Sequence, residues 1–194
     1  MRKKVLLGCT LLLLVAIIAG GTAAYLNQGE KTTNVITMGK VSIQLNDKTK
    51  VNGEMSEFPT EGITIIPGVS LEKQVTVTNV DAKAWIRVKA EITIDQNGDE
   101  MPASLPDGTP VCSLDLDSAK WVDGTDGYYY YTEAVENQGT TDNLFKAVTF
   151  SPKINNDYQN CKVNIKLNAE AVQYKNNEAG GDVNKVAGWP ADTH

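Results

Sequence analysis

Two stretches of strict two-residue alternation constrain this chain more than anything else in it. Over residues 85–94, Ile86, Val88, Ala90, Ile92 and Ile94 fall on one side, and Trp85, Arg87, Lys89, Glu91 and Thr93 on the other. Over residues 162–171 the pattern returns, with Val163, Ile165, Leu167, Ala169 and Ala171 set against Lys162, Asn164, Lys166, Asn168 and Glu170. Successive side chains of a strand point to opposite faces, whereas a helix would scatter these residues around its axis. Each stretch therefore predicts a long strand with one face on a core.

Shorter segments extend the pattern. Residues 41–45 alternate. The β-branched run 63–66 ends at Pro67-Gly68, a turn signal. Val75 and Val77 alternate with Gln74, Thr76 and Thr78 until Asn79. Residues 111–116, 128–131 and 145–150 read as further strands. In the last of these, Phe145, Ala147 and Thr149 oppose Lys146, Val148 and Phe150, so both faces carry apolar groups. Residues 95–110, with Pro102, Pro106, Gly108 and Pro110, read as a loop. Only residues 178–188 suggest a short helix, weakened by Gly180-Gly181 and Gly188. The expectation is an all-β fold: an antiparallel β-sandwich of immunoglobulin or jelly-roll type, with seven to nine strands and little helix.

The N-terminus has a different character. Arg2, Lys3 and Lys4 precede an almost unbroken apolar run over residues 5–19, and Gly20-Gly21-Thr22-Ala23-Ala24 then sets small side chains before polar sequence. This order predicts a secretory signal peptide, residues 1–24, cut between Ala24 and Tyr25. A transmembrane anchor is the competing reading, since counting through Leu26 brings the stretch to about the 20 residues that span a bilayer. The glycine pair weakens a helix there. Leu6-Leu7-Gly8-Cys9 mimics a lipoprotein motif, but Cys9 opens the apolar run instead of following it. The rest divides into an N-terminal segment (25–40), a sandwich domain (41–175) and a polar C-terminal tail (176–194). Residues 25–34 and 174–194 are polar and are expected to be loose.

The whole chain carries a net charge of −6, and losing Arg2, Lys3 and Lys4 leaves the mature part three charges more acidic. That balance argues against nucleic acid or anionic membrane as a partner, and leaves membrane contact only to the uncleaved form. Of three cysteines, Cys112 and Cys161 remain after cleavage. They are a candidate disulfide, which would close a loop of about 50 residues worth about 3–4 kcal/mol, or else two buried thiols. Spacing does not choose between the two.

Chemistry-bearing constellations are sparse. The single histidine is His194, no H-E-x-x-H occurs, and a Ser or Cys nucleophile has no histidine base within the domain. Asp115, Asp117, Asp123 and Asp126 gather around Trp121, but their spacing fits no EF-hand loop and acidic turns account for them. Trp85, Trp121, residues 128–131 and Trp189 offer a sugar-stacking surface or, more simply, ordinary sheet aromatics. Leu105-Pro106-Asp107-Gly108-Thr109 looks like a sortase signal with Thr and Gly reversed, and it lies in mid-chain. No catalytic, cofactor-binding or metal-ligating residue is assigned, and the chain is expected not to be an enzyme.

The Gly20-to-Leu26 block, followed by Asn34-Val35-Ile36-Thr37-Met38-Gly39-Lys40-Val41-Ser42-Ile43-Gln44-Leu45, resembles the TasA/camelysin (CalY) group of Gram-positive bacteria, exported proteins with a SipW-type signal peptide. Pro67-Gly68, Val75-Thr76-Val77-Thr78-Asn79 and Trp85-Ile86-Arg87-Val88 are similar to a second block of that group. Trp121, Asp126-Gly127 with the four tyrosines after it, and Ala169-Glu170-Ala171-Val172-Gln173 are similar to later ones. The resemblance covers most of the chain and is most specific at its N-terminal block. It implies a secreted jelly-roll domain, processed by a SipW-like signal peptidase and placed in the extracellular matrix or on the cell surface. It also implies a subunit or accessory protein of biofilm-matrix fibres, associating with itself or with sibling subunits by β-strand addition. The donor strand would lie in residues 25–38, with Val35 and Ile36 as its apolar part. Two alternatives stand beside this: a camelysin-type extracellular metallopeptidase, for which the needed histidines are missing, and a sugar- or host-protein-binding adhesin resting on the aromatics.

Overall fold

Alternation becomes sheet over the described residues, which in this computed structural model are 34–38, 41–51, 54–58, 62–177 and 179–190. Thirteen strands form among them. They are β1 (Asn34–Met38), β2 (Ile43–Val51), β3 (Glu54–Glu57), β4 (Ile63–Thr64), β5 (Ser70–Glu72), β6 (Gln74–Asn79) and β7 (Ala84–Gln96), followed by β8 (Asp99–Met101), β9 (Cys112–Leu116), β10 (Trp121–Asp123), β11 (Tyr128–Tyr131), β12 (Phe145–Phe150) and β13 (Lys162–Gln173). The helical pieces among the described residues are two 3-10 turns, Asn156–Tyr158 and Val183–Lys185. The second replaces the short helix expected at 178–188. The fold is all-β with antiparallel sheets, as the alternation predicts. Strands outnumber the expected seven to nine chiefly because β3, β5, β8 and β10 have three or four residues each, too few to display a period.

The two long alternating stretches pair with each other. β7 and β13 run antiparallel over twelve consecutive positions, from Lys162 opposite Asp95 to Gln173 opposite Ala84. They are the centre of a seven-stranded sheet in the order β1-β13-β7-β11-β10, with β4 also on β13 and β8 also on β7. The stretch expected to be loop from residue 95 onward begins instead as a hairpin. Gln96 pairs with Asp99, leaving a two-residue loop of Asn97 (φ 57°) and Gly98 (φ 99°). Two positive φ values in a two-residue loop suit Asn-Gly, and that twist matches the flanking strands.

Two three-stranded sheets, β3-β2-β6 and β5-β12-β9, complete the body. Backbone bonds join them. The N–H groups of Lys73, Leu144 and Thr141 donate to the carbonyls of Lys146 (2.9 Å), Val75 (2.8 Å) and Val77 (2.9 Å). The chain entering β12 thus runs alongside β6 and then β5. Val75, Val77, Phe145, Val148 and Phe150 from this side share one core with Ile86, Val88, Ile94, Leu167, Ala169 and Ala171 from the seven-stranded sheet. Phe145 and Phe150 are fully buried, each contributing about 1.5–3 kcal/mol by removal from water.

β12 departs from its expected two-faced alternation. Phe145 pairs with Leu116 but Val148 with Leu114, so three steps on β12 meet two on β9. That extra residue is a β-bulge, which resets the parity and turns Phe145, Val148 and Phe150 all inward. The bulge leaves backbone donors unpaired, and Asp115 Oδ1 accepts both the Lys146 N–H (2.7 Å) and the Ala147 N–H (2.5 Å).

Candidate functional site

Residues 34–38 of the segment named as a donor strand are part of the sheet, and its residues 25–33 lie outside the described residues. β1 lies parallel to β13, with Asn34 opposite Asn168, Val35 opposite Ala169, Ile36 opposite Glu170, Thr37 opposite Ala171 and Met38 opposite Val172. Every other strand pair among the described residues is antiparallel. One side of β13 is fully taken by β7. Its other side carries β4 at Lys162 and Val163 and β1 at residues 168–172. Without β1, that second stretch would present a row of unpaired backbone groups, a template for another strand.

Directly beside this edge, the outer face of the sheet buries charge. Arg87 and Glu170 stand opposite each other on β7 and β13, and Tyr130 stands opposite Arg87 on β11. The Arg87 side chain is 8% exposed and that of Glu170 1%. Arg87 Nε and Nη2 donate to Glu170 Oε2 at 2.8 and 2.7 Å, and Nη1 donates to Tyr130 Oη at 3.0 Å. Tyr128 Oη donates to Glu170 Oε1 at 2.9 Å, and Tyr130 Oη donates to Asp126 Oδ2 at 2.7 Å. The guanidinium lies 3.8 Å from the Tyr128 ring centre and 4.8 Å from that of Trp189. Burial works against the Arg87 charge, but the bonds from Tyr130 and Glu170 outweigh it and hold its pKa above the ordinary arginine value. Burial likewise opposes the Asp126 charge. There the hydroxyl of Tyr130 and the N–H of Tyr128 prevail, and its pKa sits below the usual 3.8.

The tail that was expected to be loose covers this face. Trp85 Nε1 donates to the Asn177 carbonyl at 2.7 Å. Ala179 and Val186 are buried with Trp85 and Val172, with Val183 and Trp189 packed against them. The Trp189 ring meets Tyr130 edge-on at 5.5 Å. The reason is composition on the face opposite the core. Trp85 and Val172 share it with Arg87 and Glu170, and an apolar pair there calls for a cover.

The remaining named residues have structural places. Cys112 and Cys161 are buried free thiols, not a disulfide, and burial pushes the Cys112 thiol up to about 11, which keeps it unreactive. Asp117 and Asp123 accept backbone N–H bonds inside their own turns, from Ala119 and Thr125. No group of three or more His, Cys, Asp or Glu side chains poised for a metal occurs among the described residues. Trp85 and Trp121 are buried, so they form no exposed platform for a sugar. Trp121 Nε1 donates to the Asp142 carbonyl at 3.3 Å. Ala24, Tyr25 and His194 lie outside the described residues. Sequence reasoning placed Arg87 and Glu170 only on the face opposite the core and gave no role to Lys73 or Asp47. The available signal was parity, since Leu71, Lys73, Val75 and Val77 form one stripe and Ile43, Leu45 and Asp47 another. Comparison with models of known protein families, with curated proteins and with solved structures finds no match to this chain.

Proposed function

We propose that this chain is an exported structural or accessory subunit of cell-surface or matrix fibres, of the kind formed by TasA and camelysin relatives, and that it assembles by β-strand addition. The observation that carries this reading is the β1–β13 pairing, a short N-terminal strand lying parallel on the edge of an otherwise antiparallel body. Within one chain, β1 satisfies its own edge. Between chains, the β1 of one copy takes the same five-residue register on the β13 of the next, so backbone bonds are exchanged and not lost. Repeated head-to-tail without closing on itself, this exchange builds a filament. In this reading the sandwich has jelly-roll connectivity, and cleavage after Ala24 by a SipW-like peptidase frees the donor end.

The test compares the mature chain (residues 25–194) with a version beginning at residue 39, using light scattering after size exclusion and electron microscopy. The mature chain is expected to form strand-swapped oligomers or fibres. The shortened one is expected to remain monomeric and to take up an added peptide of residues 25–40. Monomers from both, or fibres from the shortened chain, would reject the reading.

A further inference from the structure

On the inner face of the β3-β2-β6 sheet, two core stripes end in charge. Asp47 continues Ile43 and Leu45 on β2, and Lys73, between β5 and β6, continues Val75 and Val77. Asp47 stands opposite Val75, which puts Lys73 one diagonal step away on the same face. The Lys73 side chain is 0% exposed and that of Asp47 30%. Lys73 Nζ lies 2.5 Å from one carboxylate oxygen and 2.6 Å from the other. Both are shorter than the roughly 2.7–2.9 Å of an ordinary ammonium–carboxylate bond. A nitrogen nearly equidistant from both oxygens lies on the plane that bisects the carboxylate and contains Cγ, so it needs only a small shift to approach that carbon.

The surroundings hold this pair in place and shield the amine from water. The Phe58 ring centre is 3.4 Å from Nζ. The Phe58 N–H donates to the Asp47 carbonyl at 3.0 Å, and the Lys73 N–H donates to the Lys146 carbonyl at 2.9 Å. Both backbones are therefore pinned. Among the described residues, the amine meets one carboxyl group and the face of one ring. Burial pushes the Lys73 pKa down and the Asp47 pKa up, in each case against the pull of the partner. Both shifts favour a neutral amine beside a neutral acid, the forms that condense. An ion pair in this place carries the desolvation cost of two charges, which exceeds that of one buried amide.

We propose that Lys73 and Asp47 are joined by an intramolecular isopeptide bond that forms once the chain has folded. The Nζ lone pair attacks Asp47 Cγ, and an Nζ–Cγ bond forms as the bond from Cγ to the carboxyl hydroxyl breaks. The hydroxyl leaves with one Nζ proton as water, and one N–H remains on the amide. Nothing is oxidised or reduced, and no outside reagent enters. The water leaves by the partly exposed side of Asp47. The product ties β2 to the β5–β6 junction with a covalent brace, in a chain whose two described thiols stay free. This inference is independent of how copies assemble.

Intact mass measurement of the denatured mature protein tests it directly, because an amide survives unfolding and an ion pair does not. The expected result is a mass lower than the sequence mass by one water. A protease digest should yield a branched peptide joining the Asp47 and Lys73 segments, with no cleavage at Lys73. Lys73→Met should restore the full sequence mass. Folded wild-type protein that keeps the full mass after prolonged incubation would overturn the proposal, as would a water loss that persists in Lys73→Met or maps to other residues. The decisive reading is made on the wild-type chain, so it does not depend on a variant folding.

Discussion

Arg87–Glu170 and Lys73–Asp47 each bury charge in the same β body, and they solve the problem differently. Arg87 spreads its donors over Glu170 and Tyr130 and lays its plane on Tyr128, whose hydroxyl also donates to the Glu170 carboxylate. Lys73 has one compact ammonium and, among the described residues, one carboxyl partner and one ring. A planar fork with fixed donor directions can be satisfied by neighbours on adjacent strands, whereas a point charge on a flexible stem cannot be so fully matched. The first pair remains charged and networked. The second, on the proposal above, gives up its charge by condensing.

The comparison breaks most sharply at the arginine. Arg87→Met leaves Glu170 buried without its main partner and should cost about 3–5 kcal/mol, read from the urea midpoint. Adding Glu170→Leu to it should recover most of that loss, since an apolar pair of similar volume replaces a buried ion pair with little penalty. Equal losses in the single and double variants would mean that packing, not charge, dominates there.

The lysine should behave in the opposite way on rescue. Lys73→Met removes a constraint on the loop from residue 47 to residue 73, worth about 3 kcal/mol in the chain-entropy model. Adding Asp47→Leu should return only the part owed to the orphaned Asp47 carboxylate, because the rest of the loss lies in the unfolded chain. Full recovery in the double variant would indicate a plain ion pair.

The smallest effect is electrostatic. Asp126 is 44% exposed, so screening limits its share to below about 1 kcal/mol. Its folded pKa is depressed, so its contribution is present above 3.8 and is lost as pH falls below that value. Asp126→Asn should flatten the acid limb of a stability–pH curve and leave the neutral range nearly unchanged. An unaltered acid limb would remove Asp126 from the network.

How much of this was legible depended on period and length. β7 and β13 were readable because ten residues of alternation admit one interpretation. The burial of their outer face was missed because Arg87 and Glu170 look solvated in isolation, although Trp85 and Val172 on that face mark it as covered. The tail escaped because Ala179, Val183, Val186 and Trp189 are spaced like one face of a helix, whereas Gly180-Gly181 and Gly188 leave only a 3-10 turn there. The β12 bulge was invisible, since one inserted residue moves every later side chain to the other face. Its nearest sign is Asp115, whose carboxylate occupies the gap. Lys73 and Asp47 were within reach, because a charge at inward parity in a core stripe is itself an anomaly. The isolated strand β1 had a resemblance behind it but no periodicity of its own.

Both ends of the described chain bear on β13, with β1 along its edge and residues 179–190 over its outer face. A purification handle or fluorescent reporter fused to either terminus therefore loads the same strand and would distort any assembly measurement. The Asp107-Gly108 turn is the better place for an insertion. Gly108 has a φ of 80°, nothing lies within 4 Å of a side chain added there, and the exposed Lys153–Asp107 ion pair beside it contributes little to stability. A label at that turn would report on the body while leaving both termini as the cell makes them.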